Sequence, residues 1–335
     1  MKIIVDIGGA DKGYITAISA AINIVDKIDE KVVLVGKKED ILNAFNKLNK
    51  STILNKFEII ECSEYISNND DPANAIKNKK ESNLVKAFDY MKKEEDIAFI
   101  SASSTGALVA GSLLKIGRIS KIHRPALMSL LPSNKNKPVI FLDTGANIEA
   151  KEVSLIQYAM LGEIYCKYVL GNDNPKIGLL NIGAEEKKGT TILKKVHKIL
   201  KQSNENFVGN IEPREILNGD IDIIVCDGVM GNIAIKSLEG AVHILKNELK
   251  KEFKKNIFNK IKSAFVKNMF KDVIRKFDYK KLGGAVLIGV KKPIIKVHGS
   301  SDVITYEKAI YQASLMLKEK VIEKVKEEIE REDKI

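Results

Sequence analysis

Ile97-Ala98-Phe99-Ile100-Ser101-Ala102-Ser103-Ser104-Thr105-Gly106-Ala107-Leu108-Val109-Ala110-Gly111-Ser112-Leu113-Leu114 is the stretch on which the fold turns. It carries no charge over eighteen residues. A membrane span needs about 20 mainly apolar residues, and here hydroxyls and glycines interrupt the run. It reads instead as a buried strand over 97–101, a Ser/Thr/Gly turn, and a helix of small residues. The same order recurs on either side. Short apolar runs over 3–5, 32–35, 139–142, 177–181 and 221–226 each lead into a turn with Gly, Ser or Asp, and then usually into a helical stretch. Continuous apolar strands between helices predict an α/β protein whose mostly parallel sheet is covered on both faces. No unit of 20–50 residues repeats, and no Pro/Gly/Ser-rich linker divides the chain. One catalytic domain over 1–335 is expected, with a helical excursion at about 248–280 and a C-terminal helix at about 303–333.

Composition narrows the class. At 335 residues with 44% hydrophobic and 30% charged residues, the chain can bury a sizeable core, which excludes intrinsic disorder. Cys62, Cys166 and Cys226 form no CxxC or Cys/His cluster. That argues against a disulfide scaffold or zinc site and for a reducing compartment. Lys2-Ile3-Ile4-Val5-Asp6 begins a strand with no charged-then-apolar leader, which speaks against secretion. The net charge of +11 is uneven: residues 250–281 hold twelve Lys/Arg against three Asp/Glu.

Within that basic segment Phe253, Ile257, Ile261, Phe265, Met269, Val273 and Phe277 recur every four residues, with lysines such as Lys254, Lys260 and Lys267 between them. One long or two shorter amphipathic helices with a basic face follow. Such a helix packs on a partner subunit with its lysines solvated, or rests on anionic lipid. Nucleic acid is disfavoured, because no nucleic-acid module surrounds the segment. In the tail, Leu317, Val321, Val325 and Ile329 share a helix face that suits docking.

In open parallel sheets ligands bind beyond the carboxyl ends of the strands, so the turns are the places to look for chemistry. The first, Asp6-Ile7-Gly8-Gly9-Ala10-Asp11, allows close backbone approach but has no GxGxxG and no Walker-type ending. The second, Ser101-Ala102-Ser103-Ser104-Thr105-Gly106, offers hydroxyls and amides to an anion, or simply caps a helix. The third is Asp143-Thr144-Gly145-Ala146-Asn147. The fourth, from Asn181 to Gly189, places Lys187 and Lys188 beside glycines, as an anion contact or a solvated turn. The fifth is Cys226-Asp227-Gly228-Val229-Met230-Gly231-Asn232. Cys226 invites a nucleophile reading, but a free cysteine is more often a small buried residue and no histidine is near in sequence. His298, in His298-Gly299-Ser300-Ser301, stands between an apolar strand and a Ser-rich turn, where it can act as acid, base or donor. His123, His197 and His243 read as structural or exposed.

Taken in order, these turns resemble the PlsX phosphate acyltransferase family. The resemblance runs from Asp6 to Ser301 and includes Asp71-Pro72, Arg124-Pro125-Ala126-Leu127, Leu142-Asp143-Thr144-Gly145-Ala146-Asn147 and Gly178-Leu179-Leu180-Asn181-Ile182-Gly183. It continues through Asn206-Phe207-Val208-Gly209-Asn210-Ile211-Glu212, Cys226-Asp227-Gly228, Gly231-Asn232, Lys236, Gly283-Gly284-Ala285 and His298-Gly299-Ser300-Ser301. The chain departs from the family in the first two turns: the glycine pair is displaced by one, and Ser103-Ser104 stand where the family has Gly-Asn.

The resemblance implies a three-layer α/β/α sandwich related to phosphate acetyltransferases and the isocitrate dehydrogenase type. It implies transfer of a fatty acyl group from acyl carrier protein to inorganic phosphate, giving acyl phosphate for phospholipid synthesis. A downstream acyl-phosphate:glycerol-3-phosphate acyltransferase would consume the product. A cytoplasmic homodimer touching the membrane surface through residues 250–281 is implied as well, with no cofactor, metal or nucleic acid. Because phosphate is itself a nucleophile, the expected mechanism is direct transfer. By motif position Lys188, Asn232 and His298 are the expected catalytic residues. Asp6, Gly9, Asp11, Ser101, Thr105, Asn147, Asn181 and Asp227 are expected around the substrates. The altered turns leave open a relative that makes acetyl phosphate, or an inactive membrane-associated scaffold.

Overall fold

The computed structural model describes residues 1–67, 69–255 and 282–332, together with 266, 268–270, 272, 273 and 276. Its strands are β1 (Lys2–Asp6), β2 (Lys31–Gly36), β3 (Glu58–Glu61), β4 (Ile97–Ser101), β5 (Ala126–Leu131), β6 (Val139–Leu142), β7 (Ile177–Leu180), β8 (Phe207–Ile211), β9 (Ile223–Val225), β10 (Ala285–Ile288) and β11 (Ile294–Lys296). Among the described residues they form one sheet in the order β3-β2-β1-β4-β11-β10-β5-β6-β9-β7-β8. Two parallel sets, β3-β2-β1-β4-β11 and β6-β9-β7-β8, flank β10 and β5, which pair antiparallel to each other and to their other neighbours. The mostly parallel sheet expected from the sequence is therefore two parallel halves joined by an antiparallel seam.

The apolar runs are continuous because helices cover both faces. In β1, Ile3 and Val5 join one buried cluster while Ile4 joins another on the opposite face. The same alternation sends Ala98 and Ile100 of β4 one way and Ile97 and Phe99 the other. In β6, Ile140 and Leu142 part from Val139 and Phe141. One outer layer holds α1 (Ile15–Ile24), α2 (Lys38–Lys47), α6 (Glu152–Leu170), α7 (Thr191–Ser203), α9 (Val303–Lys318) and α10 (Val321–Glu332). The other holds α3 (Pro72–Asn78), α4 (Asn83–Met91), α5 (Thr105–Gly111) and the start of α8 (Gly228–Lys254). Phe99 has no exposure and meets Phe88 edge-on at 5.5 Å. Truncating such a ring to Ala costs about 3–5 kcal/mol.

Several expected elements differ in detail. The run over 97–114 is the strand, turn and helix read from it, and no helix among the described residues is long and apolar enough to cross a membrane. The expected C-terminal helix is two helices, broken at Lys320 with φ 51°. Leu317 belongs to α9, whereas Val321, Val325 and Ile329 of α10 are buried as one docked face. The basic excursion starts inside α8, a helix of 27 residues, or about 40 Å. Of the rest of that amphipathic pattern, Ile257, Ile261, Phe265 and Phe277 lie outside the described residues, and Met269 and Val273 are exposed. Four strands carry weak signals: β3 and β8 are sheet edges with Glu or Gly and Asn in them, β5 has no β-branched residue, and β10 is four residues long.

Candidate active site

Two buried aspartates, Asp6 at the end of β1 and Asp143 just after β6, shape the turns beyond these strands. Asp6 has no exposure. Its Oδ1 accepts from the Gly8 N–H at 2.9 Å and from Asn83 Nδ2, and its Oδ2 accepts from Ser101 Oγ at 2.6 Å and Ser103 Oγ at 2.8 Å. Burial pushes this carboxyl up, and the donors oppose the shift. The first and second turns are thereby tied together. At Gly9, with φ 75°, a Cβ would lie 2.5 Å from the Ser103 nitrogen, so glycine is required there on both counts. Asp143 also has no exposure. It accepts from the N–H groups of Leu127, Gly145, Ala146 and Asn147 and from Asn147 Nδ2, at 2.8–3.0 Å.

These knots support a cleft of about 310 Å³ at the antiparallel seam. Thr105 reaches it from the start of α5, and Thr144 and Gly145 from the turn after β6. Asn232 and Lys236 reach it from the first turns of α8, and Lys296, His298 and Ser301 from the end of β11 and the turn beyond. Ser129 of β5, the Gly283-Gly284-Ala285 segment, Thr305, the apolar Leu127, Leu130 and Ile235, and the Glu239 carboxylate of α8 complete the wall. His298 Nδ1 accepts the Ser300 backbone N–H at 3.1 Å. A backbone N–H only donates, so in the neutral ring the proton sits on Nε2, which is then a donor. Lys296 Nζ donates to the carbonyl of Ala102 at 3.0 Å and to that of Val297. Burial pulls its ammonium down to about 8, against the weaker pull of Asp6 and Asp11. The result is a small cleft in which two lysines, His298, Thr105 and Asn232 outnumber one carboxylate, Glu239, an arrangement that can hold an oxyanion.

The family's model, described as fatty acid synthesis protein, matches residues 1–324. A phosphate acyltransferase of Thermoanaerobacterium thermosaccharolyticum is 42% identical over 330 residues, 98% of this chain and 97% of that one. One of Clostridium tetani is 41% identical over 330 residues, 98% of each chain. The chain belongs to this phosphate acyltransferase family. Among solved structures, a phosphotransacetylase from Streptococcus pyogenes superimposes with TM-score 0.61 at 15% identity, covering 95% of this chain and 94% of that one. A branched-chain phosphotransacylase from Enterococcus faecalis V583 gives 0.57 at 15% identity, covering 95% and 99%. At that identity they share the fold, which is the expected three-layer α/β/α type.

Within this family member, the residues expected at the site divide. Thr105, Asn232 and His298 line the cleft. Asp6 and Ser101 do not, because their polar atoms are buried and spent on each other and on Ser103 and Asn83. Gly9 packs the first turn on the second, and the Asp11 N–H donates to the Gly299 carbonyl at 2.8 Å, tying it to the His298 turn. Asn147 gives its amide to Pro125 O, Asp143 Oδ2 and Tyr158 Oη. Asp227 caps α8 through the Met230 N–H at 2.8 Å. Both serve as props of the cleft wall. Asn181 is buried and bonds the backbone of Lys188 and Ile182. It opens on a separate apolar depression with Ile182, Ile216, Met230 and Ile233. Lys188 is exposed on that turn and does not line the cleft with Asn232 and His298. The nucleophile reading of Cys226 fails: the thiol has no exposure, burial pushes it well above its ordinary range, and it points at Asp143 O. His197 is a packing residue, edge-on to Phe207 at 5.2 Å.

Sequence reasoning missed Lys296 and Ser129, and assigned no role to Thr144 or Ser301. Lys296 did carry a signal, as a lone charge closing Ile294-Ile295-Lys296-Val297. Ser129 and Thr144, 3.1 Å apart, are distant in sequence and meet only through the β5–β6 pairing.

Proposed function

We propose that the cleft transfers an acyl group from an acyl carrier protein thioester to inorganic phosphate. The observation that carries this is the set of donors around one small cleft, Thr105, Asn232, Lys296 and His298, with the neighbouring thiol sealed away. A site of this kind binds and positions an oxyanion that is its own nucleophile. A phosphate oxygen attacks the thioester carbonyl carbon, the new O–C bond forms, and the C–S bond breaks. The proton of the hydrogen phosphate ends on the departing thiolate, leaving acyl phosphate. Holding the two reactants together supplies much of the acceleration. Asn232 and the Nε2 donor of His298 are assigned to the oxygen that gains charge in the tetrahedral intermediate. Thr105 is assigned to phosphate.

The same reading makes the protein a cytoplasmic homodimer that works beside the membrane and feeds an acyl-phosphate:glycerol-3-phosphate acyltransferase. Its support is the middle of α8, where Ile244 and Leu245 are exposed and Lys250, Lys251 and Lys254 follow on the same helix. Apolar surface of this kind suits a second subunit, and the lysines suit anionic headgroups. Sedimentation of purified protein with vesicles tests this: retention by anionic but not zwitterionic vesicles is expected.

The activity is tested by trapping acyl phosphate with hydroxylamine, using phosphate and thioesters from acetyl to palmitoyl. Product from long-chain acyl carrier protein is expected. Product from acetyl donors alone would reassign the protein to acetyl phosphate synthesis. No product from any donor, with folded protein, would overturn the reading.

A further inference from the structure

Lys296 occupies an unusual place for a lysine. Its neighbours Ile295 and Val297 are fully buried on one face of the sheet, and Lys296 turns to the other face, where it meets the cleft. It is half-buried, and among the described residues no carboxylate forms an ion pair with it. The Asp6 carboxylate, close enough to influence it, already accepts from Gly8, Asn83, Ser101 and Ser103. An ammonium has three donors, and two of them go to the Ala102 and Val297 carbonyls. One donor and a net positive charge remain. A partly desolvated cation without a counter-ion is unfavourable unless something anionic joins it.

A second observation points the same way. Ser301 is 1% exposed, lines the same cleft, and its hydroxyl has no hydrogen-bond partner. Buried hydroxyls are nearly always paired, so an orphan in a cleft wall marks where a ligand atom belongs. We propose that Lys296, with the Ser301 hydroxyl of the same cleft wall, is the anchor that holds the phosphate nucleophile in the cleft. This rests on the acyl-transfer reading of the cleft and adds to it the group that neutralises the incoming phosphate. Lys296 offsets the repulsion between the phosphate and the charge developing on the thioester oxygen. The carbonyls of Ala102 and Val297 aim the ammonium, and the Asp6 knot holds Ala102 in place. Asp6 and Asp11 from the first turn, Lys236 and Glu239 from α8, and His298 are the other titratable groups around it.

The test compares full-length wild type with K296M, K296R and S301A. K296M is expected to raise the KM for phosphate by about tenfold or more while moving the KM for the acyl donor less than about twofold. K296R should recover part of the loss. Phosphate affinity of the wild type should fall as pH rises through about 8, while that of K296R stays level because guanidinium does not titrate there. This pH contrast uses only folded proteins and stands if K296M fails to fold. Direct titration with inorganic phosphate, without any acyl donor, separates the two ideas. Unchanged phosphate affinity in K296M, with normal activity in the wild type, overturns the anchor alone. Phosphate binding that K296M loses, in a wild type that makes no acyl phosphate, keeps the anchor and overturns the acyl-transfer reading.

Discussion

Two neighbouring turns of the cleft use polar residues in opposite ways. Beyond β1 and β4, Asp6, Ser101, Ser103 and Asn83 satisfy one another completely and are shut off from solvent. At the end of β11 Lys296 keeps a donor in hand, and in the turn beyond it the Ser301 hydroxyl has no partner. Both turns are rich in the residue types that bind anions. The difference lies in whether hydrogen-bonding capacity is already consumed. A saturated knot gives stiffness, whereas an unsaturated turn gives binding, and the first holds the second in place.

Substitutions can break that contrast. The largest effect is expected from D6A, which removes the shared acceptor of four groups. It should lower stability by about 3 kcal/mol or more, read from urea denaturation. Loss of activity in a D6A protein of unchanged stability would move Asp6 from the knot to the site. N232A should leave stability nearly unchanged and lower kcat by about 100-fold, the effect of removing one donor to a developing oxyanion. S301A should raise the KM for phosphate by roughly tenfold, since one hydrogen bond to a charged oxyanion is lost. K188A is expected to change turnover less than about twofold, because the side chain lies outside the cleft. A large loss there would place the fourth turn at the reacting groups after all.

The pH dependence sharpens the same comparison. The folded protein holds Lys296 at about 8, below its ordinary 10.5. Between those values the unfolded chain binds more protons than the native one, so stability rises with pH there. Below about 8 the ammonium is charged in both states, and its burial costs stability in full. Wild type should therefore gain stability relative to K296M as pH rises from about 8 toward 10.5 in denaturation measured without phosphate. Added phosphate should stabilise wild type more than K296M at neutral pH.

Much of this architecture was legible from local pattern. Apolar runs such as Ile3-Ile4-Val5 and Ile97-Ala98-Phe99-Ile100 announce strands buried on both faces, because each side chain must meet an outer layer whichever way it points. The glycine and hydroxyl turns after them announce where ligands approach. The family likeness adds the chemistry, and Thr105, Asn232 and His298 follow from motif position. Other features depend on distant pairings. The antiparallel seam of β5 and β10 brings the ends of two oppositely directed strand sets to one cleft, and nothing in Ala126-Leu127-Met128-Ser129-Leu130-Leu131 declares it. Residue type pointed to Asp6 as a ligand contact and passed over Lys296. Which of them is spent and which is available depends on hydrogen bonds across 95 residues, from Asp6 to Ser101, and across 194, from Ala102 to Lys296. Local sequence sets the direction a side chain takes from its strand, but its remaining capacity to bind is decided by the partners that folding brings to it.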